Sequence, residues 1–402
     1  MKIGLASALG ILATFGFQII TARVLGAERF GVLSAFFAIV NVAAFGSASL
    51  QNSVAVHTAR ALSTPRARSL KRLSSDPTLI EALAFGLGGA AIVAVASPAI
   101  SAALDTEWFV PFLAAISVLL SFLFARAVGI IQGSGDSQAA VWWSTASLLL
   151  RVALVSAVFA AGMRLEGALL AVLAGSLLAV VGAQGRARRV GMTDGGRPFS
   201  ADSLVVIVTT ITFAWMTNVD VILVRNAIPA EEAGQYAAAV TLVKSGLLIP
   251  ATLSLYLLPR FVRQEGNAEL SRLGVRLTAM VTLLGGFALF LLFWTLGRPV
   301  LVLVYGIQYS GAATILAGLA LAYVPWIVAQ GLLIRMTATA SRPALIVLLA
   351  AAFAQFGAGI LLLPRLTEFV ISIGLTGTAV LAAFIVLEWR AGRTAATTGD
   401  RP

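Results

Sequence analysis

Three charged residues stand well inside otherwise apolar runs of this 402-residue chain: Lys244, Arg151 and Asp220. A lysine or arginine in apolar surroundings offers charge-assisted hydrogen bonds to phosphate or carboxylate groups. A carboxylate there offers a counter-ion or a coupling site. Lys244 lies ten residues into its run and Arg151 twelve into its own, depths of about 15 and 18 Å at the rise of a helix. A charge at the centre of a bilayer costs about 2.5–3.5 kcal/mol on insertion scales, and such residues face a bundle interior or a wet cavity. Asp220 differs from Lys244 in depth by only about 6 Å, within reach across a helix pair. Two readings of that pair stand side by side: a static structural bridge, or a bridge that opens when an anionic substrate competes for Lys244. Arg23 and Arg225 close the outer ends of their runs, where they either snorkel to headgroups or line a mouth.

Other chemistries lack their residues. The chain has no cysteine and a single histidine, His57, so disulfides, thiol catalysis and His/Cys metal sites are not expected. The remaining acidic residues fall in loops or at the ends of runs, and no GxxxxGK[ST] phosphate loop is present. Neither a metal nor a cofactor is expected, and the chain does not read as an enzyme. The net charge of +11 would suit nucleic acid if the basic residues clustered on one surface. They are scattered through short gaps between apolar runs instead, so no nucleic-acid partner is expected.

The elements that must position Lys244, Arg151 and Asp220 follow from composition. Hydrophobic residues make up 59% and charged residues 11% of the chain, with mean hydropathy +0.96. Soluble domains carry roughly 25% charged residues, so this chain reads as an integral membrane protein. A span needs about 20 mostly apolar residues. Spans are predicted near 3–22, 31–56, 78–101, 109–131, 139–161 and 165–184, then near 203–225, 234–257, 273–296, 311–333, 344–363 and 369–388. The first is read as a retained helix rather than a cleaved signal, because no small-residue cleavage site leads into a soluble region. With both termini cytoplasmic, twenty lysines and arginines fall on the inner face. Six, namely Arg23, Arg29, Arg164, Arg225, Arg298 and Arg365, fall on the outer, as the positive-inside rule requires.

The twelve spans divide by duplication. Ala27–Glu28–Arg29–Phe30–Gly31 and Ala230–Glu231–Glu232–Ala233–Gly234 open the same Ala-Glu-x-x-Gly-x-x-x-Ala frame 203 residues apart, each preceded by an arginine, Arg23 or Arg225. Ten positions after each glycine stands a polar residue, Asn41 or Lys244. Both halves hold six spans, which makes the repeat parallel. The expected organisation is an all-α polytopic protein: a six-helix lobe over 1–190, a cytoplasmic linker over 191–202, a second six-helix lobe over 203–390 and a disordered tail over 391–402.

The residues also resemble a known family. Thr21–Ala22–Arg23–Val24–Leu25–Gly26–Ala27–Glu28–Arg29–Phe30–Gly31 is similar to the A-R-x-L-G-x-x-x-F-G segment of bacterial polysaccharide flippases. Asn218–Val219–Asp220 with Glu232–Ala233–Gly234–Gln235–Tyr236–Ala237–Ala238 resembles their N-x-D … E-A-G-x-Y-A-A segment. Pro250, Pro259 and Leu303–Val304–Tyr305–Gly306 also match that layout. These are the O-antigen and exopolysaccharide translocases of the multidrug/oligosaccharidyl-lipid/polysaccharide exporter superfamily. The resemblance implies a MATE-like fold of two lobes around a cavity that opens alternately to either side of the bacterial plasma membrane. It implies a polyprenyl-diphosphate-linked oligosaccharide as cargo, with a polysaccharide polymerase and glycosyltransferases as possible partners. On that reading Lys244, Arg151, Arg23, Asn41 and Asn218 are the candidate substrate-binding residues. Asp220 and Arg225 are candidates for gating or coupling. The alternatives are a cation-coupled multidrug exporter of the same superfamily and a membrane scaffold for glycosyltransferases that transports nothing. The drug exporters usually carry an acidic residue in the first span, and residues 3–22 contain none.

Overall fold

A computed structural model of the protein describes residues 2–63, 77–190, 201–250 and 268–398. The described residues form helices and no strands. Residues 64–76, between the second and third predicted spans, most of the expected linker, and Pro259 lie outside them. By internal contact the chain divides into two compact units, Met1–Ala214 and Trp215–Pro402.

The first unit begins with α1, Lys2–Ser63. At 62 residues it is too long for one crossing, and it is broken at Gly26, where φ is 76° and ψ 171°. That conformation is essentially open only to glycine. It separates one span ending at Leu25 from a second starting at Ala27, so both run a few residues beyond the predicted 3–22 and 31–56. There follow α2 (Pro77–Val95), the short α3 (Ser97–Leu104), α4 (Phe109–Gly133), α5 (Ser137–Ala160) and α6 (Leu165–Ala187). Helix α4 is the centre of the unit and packs on α1, α2, α5 and α6. Small residues let backbones approach at such interfaces. A Cβ on Gly129 would stand 2.6 Å from the Gln51 carbonyl of α1, and one on Gly133 would collide with the Ala55 carbonyl. Buried Phe17, Leu33, Phe36, Val155 and Leu169 fill one core, and Leu50, Val54, Val118, Phe122 and Ile130 another. Arg126, one of the twenty basic residues that the sequence analysis places on the inner face, is buried in α4. It donates from Nε to Thr78 Oγ1 at 3.0 Å and from Nη1 to Gln184 Oε1 at 2.8 Å.

Helix α7 (Ala201–Met216) runs to the edge of the first unit, and the chain enters the second at Trp215. The predicted seventh span, 203–225, is not one helix. It stops at Met216 and resumes as α8, Val219–Ala227. The break frees backbone groups that need partners, and Gln355 Nε2 donates to the Met216 carbonyl at 2.8 Å. Helix α9 (Ala230–Lys244) follows the turn at Ile228–Pro229. Beyond it come α10 (Ala268–Tyr305), α11 (Ala313–Ala338), α12 (Arg342–Leu362) and α13 (Leu366–Thr398). Helix α10 outruns its predicted span and is distorted at Leu296, near Pro299. Helix α13 continues to Thr398, into the segment expected as a disordered tail. Its last turns contain Ala391, Ala395 and Ala396, and alanine is the strongest helix former. Helix α11 is the centre here. It packs on α9, α10 and α13, and Trp326 donates to the Ile373 carbonyl of α13 at 3.0 Å.

Among the described residues, ten helical stretches are long and apolar enough to cross a membrane. The first of them, Gly4–Ala59, contains the Gly26 break and so holds two spans. The protein is a multi-pass membrane protein. Its element order repeats at a shift of about 203 residues: α4, α5 and α6 are followed in register by α11, α12 and α13.

Candidate functional site

Asp220 sits in the first turn of α8, where the helix dipole favours negative charge. Lys244 ends α9, where it favours positive charge. The turn at Ile228–Pro229 folds α9 back on α8, so these two ends meet. A helical side chain leans toward its own N-terminus, which carries the lysine stem back toward Tyr236, two turns earlier on α9. Lys244 Nζ donates to Asp220 Oδ1 at 2.9 Å.

Two tyrosines complete the cluster. Tyr236 Oη donates to Asp220 Oδ2 at 3.0 Å, and Tyr323 Oη, from α11, donates to the same oxygen at 2.9 Å. The Lys244 ammonium also stands 5.7 Å from the centroid of the Tyr323 ring, within cation–π range. Asp220 and Tyr236 are fully buried, whereas the Lys244 side chain keeps 16% of its exposure. The donors divide unequally: Oδ2 holds both hydroxyls, and Oδ1 holds the ammonium.

Arg225 and Asn218 lie on either side of Asp220 with other partners. Arg225 is buried and donates from Nη1 to the Ala230 carbonyl at 3.0 Å, tying α8 to α9 across the turn. Asn218 is buried at the N-cap of α8, its Nδ2 3.5 Å from Thr217 Oγ1.

Arg151, Arg23 and Asn41 belong to the first unit. Arg151 on α5 reaches α6, donating from Nη2 to Ser176 Oγ at 3.0 Å. It lies over Gly175, where a Cβ would stand 3.0 Å from Arg151 Cγ. No carboxylate pairs with it among the described residues, and its Nε has no partner. Arg23 and Asn41 are exposed. Within the described residues no group of His, Asp or Glu side chains is placed to hold a metal ion.

The sequence reading did not assign the tyrosines. Tyr236 carries a signal, since it is the tyrosine of the Glu-Ala-Gly-x-Tyr-Ala-Ala segment. Tyr323 carries none beyond a hydroxyl in an apolar run. The site is thus a partly buried cation in a membrane-spanning unit, held by a fully buried carboxylate that three donors satisfy.

A family model described as "Polysaccharide biosynthesis protein" matches residues 3–264, more than half of the chain. The protein belongs to that family. No curated protein matches the sequence. Among solved structures, the chain is similar to a multidrug resistance MATE family transporter of the MOP superfamily in an inward-facing conformation. That likeness has TM-score 0.74 and 15% identity, over 98% of this chain and 96% of that one. It is similar to a MATE protein crystallised in complex with MaD5 (TM-score 0.68, 14% identity, 98% and 94% covered). A MATE transporter of Vibrio cholerae matches at TM-score 0.65 and 13% identity, over 98% and 97%. The fold is that of the MATE transporters.

Proposed function

We propose that this protein is a flippase. It carries a polyprenyl-diphosphate-linked oligosaccharide from the inner to the outer leaflet of the bacterial plasma membrane by alternating access, with both termini cytoplasmic. Lys244 is the observation that carries the reading. A buried ammonium is costly in a membrane, and this one is held through a single carboxylate oxygen and stays partly exposed. It suits an anionic headgroup such as a diphosphate. Arg151, bound to a serine and to no carboxylate among the described residues, is a second cation of the same kind. Polysaccharide polymerase and glycosyltransferases are the partners that would consume and supply such a cargo.

The test is complementation of surface polysaccharide in a bacterial strain that lacks its own flippase, with membrane protein measured alongside. Losing one hydrogen bond to a charged group costs about 1.5–3 kcal/mol, which corresponds to about 10–150-fold. Lys244→Gln should therefore lose transport by at least about tenfold, and Lys244→Arg should keep part of it, since charge is kept and head-group shape is not. Wild-type transport by Lys244→Gln at equal protein level overturns the reading. Export of a cationic dye in place of polysaccharide would favour the multidrug alternative. A protein whose polysaccharide defect is rescued equally by every Lys244 variant would fit the scaffold.

A further inference from the structure

We infer that the exposed face of the second span, marked by Asn41, Phe45 and Asn52 of α1, is a binding surface for the uncharged sugar rings of the cargo. The inference rests on the oligosaccharide reading above and names the part of the cargo that the first unit takes. Asn41, Phe45, Ala48 and Asn52 recur at intervals of four, three and four residues, which places them on one face of a helix. All four are exposed. The flanks of that face are closed. On one side Ser49 Oγ and Thr210 Oγ1 of α7 share a hydrogen bond at 3.0 Å. On the other, Gln51 Nε2 donates to Gln132 Oε1 of α4 at 3.0 Å. Gln51 is thus engaged, whereas among the described residues the Asn41 and Asn52 amides are not paired.

Lipid is a poor neighbour for this face. Asn41 lies ten residues into the predicted span 31–56, about 15 Å deep at the rise of a helix and near the middle of a hydrocarbon core of about 30 Å. An unpaired amide is strongly disfavoured in hydrocarbon. Lipid calls for the composition of α12, where every exposed residue from Ile346 onward is apolar, Phe353 and Ile360 among them. The Asn41 face therefore lines water, and its chemistry selects what it holds there. An amide carries donors and an acceptor together, as a hydroxyl does, so the two asparagines match the hydroxyls of a sugar. The Phe45 ring offers a negatively polarised face to the C–H groups of a sugar ring. The stripe carries no charge. By the repeat, Asn41 stands at the position of Lys244 and Phe45 at that of Leu248. One register position thus bears an ammonium in the second unit and a neutral amide in the first. Asn41 and Asn52 are eleven residues apart, about 16 Å along the helix, which leaves room for several rings.

The experiment uses the full-length protein in nanodiscs and two probes, farnesyl diphosphate and the same lipid diphosphate bearing chitobiose. The wild type should bind the glycosylated probe more tightly than the bare one. Asn41→Leu and Asn52→Leu each remove hydrogen bonds to hydroxyls and should lower the ratio of the two affinities by about 2–10-fold. Phe45→Ala should lower it by a similar factor. Equal affinity of the wild type for the two probes overturns the sugar surface, as does a ratio that none of the three variants changes. Should a leucine variant fail to fold, Asn41→Ala and Asn52→Ala carry the same comparison. The wet face is tested independently. The chain has no cysteine, so Asn41→Cys, Phe45→Cys and Asn52→Cys report by reaction with a water-soluble maleimide in open membranes, with Ile346→Cys and Phe353→Cys as the lipid-side controls. Reaction at the first three and not at the controls is expected. Protection of the first three overturns the inference. Lys244→Gln tests the underlying reading separately, since it should weaken both probes and leave their ratio unchanged. Binding of the bare probe by Lys244→Gln as tight as by wild type overturns the anion site and not the sugar surface. No binding of either probe by wild type overturns both.

Discussion

Helices α4, α5 and α6 of the first half recur in register as α11, α12 and α13 of the second, yet the two halves fill one position in opposite ways. At the 203-residue shift, Asp220, Tyr236, Lys244 and Tyr323 of the second half correspond to Phe17, Leu33, Asn41 and Leu120 of the first. Phe17 and Leu33 are buried in a common apolar core, and Leu120 is buried as well. The exchange runs the other way for Arg151 and Ser176, whose counterparts are Ala354 and Ala379. One frame therefore tolerates an apolar filling or a charged one at each place. Replacing a buried ion pair with packed apolar groups is often neutral or stabilising by about 1–4 kcal/mol. The fold alone gives no reason for the charges, which directs attention to function. The break between Met216 and Val219 belongs to the same contrast. Gln355 donates to the freed Met216 carbonyl, whereas its counterpart in the first half is Val152, and α1 runs unbroken through Thr14 and Phe15.

The largest effect should come from giving the second half an apolar filling. The quadruple variant Asp220→Leu, Tyr236→Phe, Lys244→Met and Tyr323→Phe removes the ion pair together with the hydroxyls that would otherwise lose their acceptor. It should reach the membrane at wild-type level and melt at or above the wild-type temperature, while polysaccharide transport falls to background. Lys244→Met alone should be the less stable protein, by about 3–5 kcal/mol, because it strands a buried carboxylate. Transport by the quadruple variant would mean that the charges have no role in function. Failure of the quadruple variant to fold, with the single variant folding, would make the ion pair a requirement of the fold.

What could be read from the amino acids divides along physical lines. The ten membrane-spanning stretches among the described residues and the repeat follow from runs of apolar residues and from two copies of one frame, both local signals. Asp220 and Lys244 were legible as neighbours because charges at matched depth on consecutive spans have few other partners. Tyr323 was not, since it meets Asp220 across 103 residues of chain and a tyrosine in an apolar run reads as core. The break after Met216 left no trace either. Residues 201–227 contain no glycine or proline, and the interruption is held by Gln355 from a distant helix. For Arg126 the count of inner-face basic residues carried no sign of its buried hydrogen bonds to Thr78 and Gln184.

A smaller effect should separate the two breaks that precede the repeated frame. Both halves restart a helix at its alanine, Ala27 or Ala230, one residue after Gly26 or Pro229. Gly26 has φ 76°, where a Cβ is strained, so Gly26→Ala should cost about 1–3 kcal/mol. Pro229 has φ −52° and ψ 144°, which any residue adopts. Pro229→Ala should cost only the entropy returned to the unfolded chain, about 0.4–1 kcal/mol. Thermal melting of the two purified variants checks this. Equal losses would show that the breaks are set by the packing around them rather than by backbone preference.

The smallest effect concerns the turns that lead into α5 and α12, which occupy nearly the same place in each half. Asp136 caps α5 by accepting from the Ala139 N–H at 3.0 Å, and Ser341 caps α12 through the Ala344 N–H at 3.4 Å. The first cap carries charge. Hydrogen bonds from Arg186 and from the Ala139 N–H hold the Asp136 carboxyl below the usual carboxylate range. A carboxyl held low in the folded state binds fewer protons than it does in the unfolded chain. Its contribution is therefore complete above about pH 4, the unfolded value, and is lost as pH falls through the folded one. Ser341 has no charge to lose. Asp136→Ser, which gives the first half the cap of the second, should lower the melting temperature slightly at pH 7, and that loss should shrink as pH falls below about 4. Because the Arg186 pair is exposed and screened, the difference at pH 7 should shrink in high salt. A difference that does not shrink as pH falls would assign the effect to the shape of the cap and not to its charge.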